Sequence, residues 1–99
     1  MPTYVSLLDF TDQGTRTIRD TLKRAQRAAE LAQKHGARLE QLYWTVGLYD
    51  LVGVVKVPDD ESATAFLLEA SSGGAIRTTT LRVFDREEIS RIIERLRPS

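Results

Sequence analysis

An α+β fold with the element order β-α-β-β-α-β and a C-terminal helix is predicted by three features of this 99-residue chain. Four short runs are rich in β-branched, aromatic and other apolar residues: Thr3 to Phe10, Ala37 to Val46, Tyr49 to Val57 and Ala75 to Phe84. Three other stretches carry apolar residues at helical spacing. Turn and cap residues stand at the joins between them.

The first run, Thr3 to Phe10, supplies Tyr4, Val5, Leu7, Leu8 and Phe10 to both faces of a strand. Thr11-Asp12-Gln13-Gly14 reads as a turn with N-cap candidates. Ile18, Leu22, Ala25, Ala29 and Ala32 then recur at steps of four and three, which aligns them on one helix face. His35-Gly36 ends that helix. The second and third runs are joined by Gly47-Leu48, read as a two-residue type II′ hairpin turn. Pro58-Asp59-Asp60 ends the third strand and caps a second helix, whose buried stripe is Ala63, Phe66, Leu67 and Ala70. Gly73-Gly74 stops it, and the Thr-rich fourth strand follows. Asp85-Arg86-Glu87-Glu88 forms a capping box for a last helix with Ile89, Ile92, Ile93 and Leu96 on one side. Pro98 follows it.

This order is that of a ferredoxin-like fold, with two helices on one face of a four-stranded antiparallel sheet. A type II′ turn sets Val46 opposite Tyr49, Thr45 opposite Asp50, Trp44 opposite Leu51 and Tyr43 opposite Val52. One side of the hairpin then carries Leu42, Trp44, Val46, Tyr49, Leu51 and Val55, which suits the helices. The other carries Leu39, Gln41, Tyr43, Thr45, Asp50, Val52 and Val54. That second side is too apolar to face water, so a homodimer joined sheet to sheet is expected.

Composition narrows the function classes. Fourteen basic residues balance fourteen acidic ones, so no long-range field favours nucleic acid or an anionic membrane. The absence of cysteine excludes disulfides and thiolate chemistry and fits a reducing cytoplasm. The start, Met1-Pro2-Thr3-Tyr4, lacks the pattern of a signal peptide, and no run approaches the roughly 20 apolar residues of a membrane span. His35 is the single histidine. With no His-x-His or Glu-x-x-His spacing, no metal is expected, and its place at a helix end is explained by the helix dipole. Gly73 and Gly74 follow a helix rather than open one, so they make no phosphate loop. No cofactor is expected. Arg16, Arg19, Lys23, Arg27 and Lys34, interrupted by Asp20 and Glu30, form a basic stripe on the first helix. It reads as a solvated face, or as a contact with Asp59, Asp60 and Glu61 of a neighbouring copy. Without aromatics in the stripe or an exposed aromatic motif on the sheet, RNA binding is not expected.

Three segments carry a resemblance. They are Gly47-Leu48-Tyr49-Asp50-Leu51-Val52, Val57-Pro58-Asp59-Asp60, and Gly73-Gly74-Ala75-Ile76-Arg77-Thr78-Thr79-Thr80-Leu81. Together with Tyr43-Trp44-Thr45 they resemble the GYD domain family, named for its Gly-x-Tyr-Asp signature. The resemblance runs through most of the chain, implies one domain over residues 1–99 with a dimeric α/β-barrel arrangement, and names no substrate. Lys56 departs from the family, which often has an acidic residue there. More distantly, the Gly-x-Tyr-Asp hairpin and the Thr-x-Thr of Thr78 and Thr80 are similar to the effector-binding domain of the leucine-responsive regulator family. There the hairpin tips help build small-molecule sites between dimers. This chain lacks the preceding helix-turn-helix, so the analogy implies a bound metabolite and no DNA binding by this chain alone.

The candidate ligand-binding residues are therefore Tyr43, Thr45, Tyr49, Asp50, Thr78, Thr80 and Arg82. Asp50 is either a turn residue bonded to Thr45 or a nearby backbone N–H, or an anchor for a ligand amine or hydroxyl. Tyr43, Trp44 and Tyr49 are core or interface packing, or the walls of a pocket. Thr78, Thr80 and Arg82 share one strand face, with Arg77 on the other; a buried arginine binds a carboxylate of the protein or of a ligand. The expected function is a self-associating domain, a homodimer or larger homo-oligomer, holding a small metabolite at a sheet or subunit interface. The alternatives are a cofactor-free oxygenase or isomerase with Asp50 and Tyr43 or Tyr49 as acid and base, or a structural subunit of an assembly.

Overall fold

Local signals in the sequence set most element boundaries in the computed structural model, which describes residues 1–96 and 98. The elements are β1 (Thr3–Phe10), α1 (Asp12–Arg16), one 3-10 turn (Ile18–Asp20), α2 (Thr21–Lys34), β2 (Arg38–Trp44), β3 (Leu51–Lys56), α3 (Asp60–Ser72), β4 (Ile76–Val83) and α4 (Arg86–Glu94). The strands form one antiparallel sheet in the order β2-β3-β1-β4, with β1 and β3 at its centre. This is the ferredoxin-like arrangement with an added C-terminal helix.

The predicted caps are present. The Asp59 carboxylate accepts from the Ser62 amide and starts α3. At α4 the Asp85 carboxylate accepts from the Glu88 amide at 2.8 Å, and the Asp85 amide donates back to the Glu88 carboxylate at 3.2 Å, a complete capping box.

Three expectations are corrected. The first helix is not continuous: α1 ends at Thr17, whose hydroxyl donates to the Gln13 carbonyl at 2.8 Å. The interruption leaves Ile18 in the 3-10 turn, where it is exposed. Within α2 the expected Ala25 and Ala32 do face the sheet, joined by Ala28, while Leu22 is exposed. The hairpin register is as expected at Tyr43↔Val52 and Trp44↔Leu51, but the two-residue turn is replaced by a six-residue loop, 45–50, between the strands. Val46 and Tyr49 do not pair, and Val46 is fully exposed. Thr45 still faces Asp50 as expected, its amide donating to the Asp50 carbonyl at 2.8 Å, while the Asp50 amide donates to the Leu8 carbonyl at 2.9 Å, so the departure from a II′ turn is confined to residues 46–49. Gly47, at φ 146°, accommodates the resulting loop. Finally, the β2–β3 register shifts between Leu39 and Gln41. This bulge turns Leu39 to the helix side, where it packs against the core.

The core lies between the helices and one sheet face. Val55, Val57, Ala32, Ala37, Ala63 and Phe66 are its buried members, with Tyr4, Leu31, Leu39, Leu67 and Ala70 around them. The junction of β1 with α1 is fixed to the start of β4. The Thr11 amide donates to the Ala75 carbonyl at 3.0 Å, and the Thr11 hydroxyl donates to the Gly74 carbonyl. Gly14 sits so close beneath this junction that a Cβ there would lie 2.1 Å from the Ala75 carbonyl oxygen.

The opposite face of the sheet carries Val5, Leu7, Val52, Val54 and Leu81 in its middle, from the registers Val5↔Val54, Leu7↔Val52 and Val5↔Leu81. Among the described residues no helix packs on it. α4 stands away from the body: its Ile89, Ile92 and Ile93 are 42%, 37% and 56% exposed. The radius of gyration, 15.4 Å, exceeds the value of about 13 Å for a compact chain of this length.

Gly14→Ala should destabilise the fold by about 1–3 kcal/mol, because backbone must move to admit the methyl group. Urea unfolding followed by circular dichroism measures it, with a lower midpoint expected.

Candidate functional site

The helix-facing side of β1 and β4 sets polar groups into an otherwise apolar layer. Ser6 is 5% exposed, and its hydroxyl meets the Thr80 hydroxyl at 2.9 Å. Thr80 in turn meets the Thr78 hydroxyl at 2.7 Å. The three side chains satisfy one another, as buried polar groups must. Ser6 and Thr78 border a chamber of about 90 Å³ between the sheet and helices α2 and α3. Its floor includes Ser6, Leu8, Leu51 and Gly53; its roof includes Ala25, Ala28, Phe66 and Ala70. Small residues from three elements leave this space. A Cβ on Gly53 would meet Leu42, Leu39 and the Gln41 carbonyl only at 3.5–3.8 Å, so the protein's own packing does not demand glycine there.

A wider groove of about 600 Å³ runs along the outside of α2 toward the end of α3. It is lined by Lys23, Arg24 and Arg27, with Asp20 and Glu69 as its acids. Arg24, Ala28, Ala70 and Ile76 line both spaces. Arg24 donates to the Thr17 carbonyl at 3.0 Å, the Thr17 hydroxyl at 2.8 Å and the Gly14 carbonyl at 3.3 Å, and lies 5.9 Å from the Phe10 ring centre. Glu69 is engaged by Lys34 at 2.9 Å and His35 at 2.8 Å. The hydrogen bond from Lys34, then that from His35, holds its carboxyl below the ordinary glutamate range. His35 thus has a structural partner besides the helix end.

The seven sequence candidates do not converge. Thr78 and Thr80 adjoin in the hydroxyl row. Arg82 lies on the same face but at the far end of β4. It donates to Glu88 at 2.9 Å and to the Val83 carbonyl, with its guanidinium 4.3 Å from the Phe84 ring centre. This arginine ties α4 to the sheet. Tyr43 is on the open face, its hydroxyl donating to Gln41 at 3.0 Å. Thr45, Tyr49 and Asp50 are in the hairpin loop, where the Thr45 hydroxyl donates to the Tyr49 carbonyl. The Asp50 carboxylate accepts from the Phe10 amide at 2.8 Å, which caps the end of β1. Of the acids proposed to meet the basic stripe, Asp59 caps α3 and Asp60 accepts from the Tyr4 hydroxyl. The Asp60 hydrogen bond, aided by burial, raises the Tyr4 phenol above its ordinary pKa.

Sequence reasoning missed Ser6, Arg24, Ala28 and Gly53. A glycine inside an apolar strand was the available signal, since it often marks close approach of another group. Among the described residues no three His, Asp or Glu side chains are grouped to hold a metal ion, and no helix is long and apolar enough to cross a membrane.

The fold and the Gly-x-Tyr-Asp loop define a class, and comparison with known proteins identifies it. The model of the GYD domain matches residues 4–93, so the chain belongs to the GYD domain family. Among solved structures it is similar to TTHA0845 from Thermus thermophilus, at 23% identity and a TM-score of 0.55, covering 86% of this chain and 95% of that one. At that identity the likeness shows the fold alone. No curated protein matches the chain.

The Glu88 carboxyl is held below the ordinary glutamate value of 4.5 by the Arg82 hydrogen bond first and the Asp85 amide second. A depressed folded value means the stabilisation is present above 4.5 and is lost as pH falls through the lower folded value. The Arg82–Glu88 contact that ties α4 to the sheet should therefore weaken progressively as pH falls below 4.5, seen as loss of the Arg82–Glu88 signals in an NMR pH series. Glu88→Gln should flatten that step.

Proposed function

We propose that the protein is a self-associating, non-catalytic binding module: copies pair sheet to sheet as a dimeric α/β barrel, and each subunit takes up a small molecule. The observation that carries the first half is the uncovered face of Val5, Leu7, Val52, Val54 and Leu81. An antiparallel sheet with one solvated face alternates apolar and polar residues; this sheet offers a mainly apolar centre, rimmed by Thr3, Arg38 and Lys56 in one register row. A second copy supplies the matching surface with no further component. α4 presents its isoleucines beside the same assembly and extends the surface available for pairing.

The second half draws on the chamber on the helix side of the sheet, bordered by Ser6 and Thr78, rather than on an interface pocket. Thr78, Thr80 and Arg82 all point to the helix side, away from the pairing face. An acid–base reading through Asp50 with Tyr43 or Tyr49 has less support, because the Asp50 carboxylate is engaged by the Phe10 amide and Tyr43 donates to Gln41. A cytoplasmic setting, without nucleic acid or membrane as partner, suits the balanced charge and cysteine-free sequence.

Light scattering after size exclusion at micromolar concentration should give a dimer or a multiple of it. Val54→Lys, in the middle of the open face, should give a monomer with unchanged far-ultraviolet circular dichroism, since a buried like-charge pair opposes association. A monomeric parent protein would overturn the pairing.

A further inference from the structure

We infer that the chamber and the outer groove are one site for a small aliphatic carboxylate, its hydrocarbon end beneath α2 and α3 and its carboxylate on Arg24. This rests on the binding half of the function proposed above and names the class of ligand. The two spaces share Arg24, Ala28, Ala70 and Ile76 as lining, so a molecule with its chain in the chamber can set its head group beside the guanidinium.

The chemistry at the two ends differs. Inside, the walls are Leu8, Phe10, Leu51, Phe66 and Ile76 with small residues between them. The hydroxyls of Ser6 and Thr78 are already engaged with Thr80, so the chamber presents carbon. Its volume of about 90 Å³ is near three-fifths of the roughly 150 Å³ apolar cavity that admits benzene. A chain of about three to five carbons fits that space.

At the mouth, Arg24 carries charge that no carboxylate of the described residues pairs with. Its three hydrogen bonds go to neutral acceptors, the carbonyls of Gly14 and Thr17 and the Thr17 hydroxyl. A guanidinium has five donors, so two remain for an anion. The three bonds hold the fork in place, as recognition of a carboxylate requires. Lys23 and Arg27 flank it. Of the two acids in the groove, Glu69 is engaged by Lys34 and His35, which leaves Asp20 as the one opposing charge. Cations therefore outweigh anions at the opening, and an amine or a zwitterion is disfavoured against a simple carboxylate.

The test is an NMR titration of the intact protein with isovalerate, isobutanol and isobutylamine, probes that share a branched apolar end and differ in charge. Isovalerate should shift the amides of Ala25, Ala28 and Gly53 saturably. Isobutanol should shift the same amides with at least tenfold weaker binding, and isobutylamine should have no effect. Arg24→Gln should weaken isovalerate roughly tenfold or more, toward the alcohol, and leave isobutanol unchanged, which shows the chamber intact. Gly53→Val should abolish both by filling the floor; Ala28→Leu does so from the roof should the strand variant not fold. Equal binding of carboxylate and alcohol, or an Arg24→Gln protein that keeps full isovalerate affinity, would overturn the ligand class and leave the chamber as a binding site. No saturable shift with any of the three would overturn both. Shifts confined to Val5, Val54 and Leu81 would move the site to the open face and sink the chamber alone.

Discussion

The structure depends on β1 being bonded along both edges. β3 pairs with it from Thr3 to Leu8, and β4 pairs with it from Thr3 to Phe10. An antiparallel strand so placed brings together segments far apart in sequence, and each loop must then return to it. The Thr11 amide on the Ala75 carbonyl and the Asp50 amide on the Leu8 carbonyl are the two loops' attachments at one end. With β1 fixed, the side-chain alternation of every strand is fixed too, and with it the division between a face that receives α2 and α3 and a face that does not.

That division was largely legible in the sequence, because it follows from periodicity and pairing register. Tyr43↔Val52 and Trp44↔Leu51 were given by counting out from Gly47-Leu48, even though the turn itself took another form. The capping box at Asp85 was legible because its residues contact each other over three positions. The errors are local. Leu39 changes face because of a bulge at its neighbour, and Ile18 leaves the stripe because α1 stops at Thr17 and a 3-10 turn follows. Inside α2 the stripe holds at Ala25 and Ala32, and Leu22, in its first turn, is exposed. The chamber lay beyond such reading altogether. Its lining comes from all four strands, α2 and α3, and what defines it is the volume those side chains leave unfilled, which no local pattern encodes.

The chamber also bears on stability. At about 24 cal/mol per Å³, an empty space of about 90 Å³ corresponds to a deficit on the order of 2 kcal/mol relative to a filled core. The neighbourhood could have been filled: Gly53 has room for a Cβ, and alanines at 25, 28 and 70 occupy the facing helices. Glycine within a strand carries an additional propensity cost. Four positions that independently forgo volume around one point are a pattern that packing alone opposes. A guest that occupies the space adds dispersion contacts on all its sides and so stabilises the fold through binding.

The open face and α4 pose the complementary problem, surface without cover rather than space without filler. Arg82 links them. It lies on the helix-facing side of β4, yet its bond to Glu88 holds the start of α4 against the sheet end, with Phe84 stacked beside it. Because α4 is fixed only at that end, its isoleucines do not fold back on their own subunit, as the 55 Å long axis shows. A helix held at one end and apolar along one side gains by lying on another molecule, and a second copy brings both an open sheet and an α4 of its own. In the pairing proposed above, sheet and helix would cover each other, while the chamber, on the far side of each sheet, would keep its mouth at α2 clear of the contact.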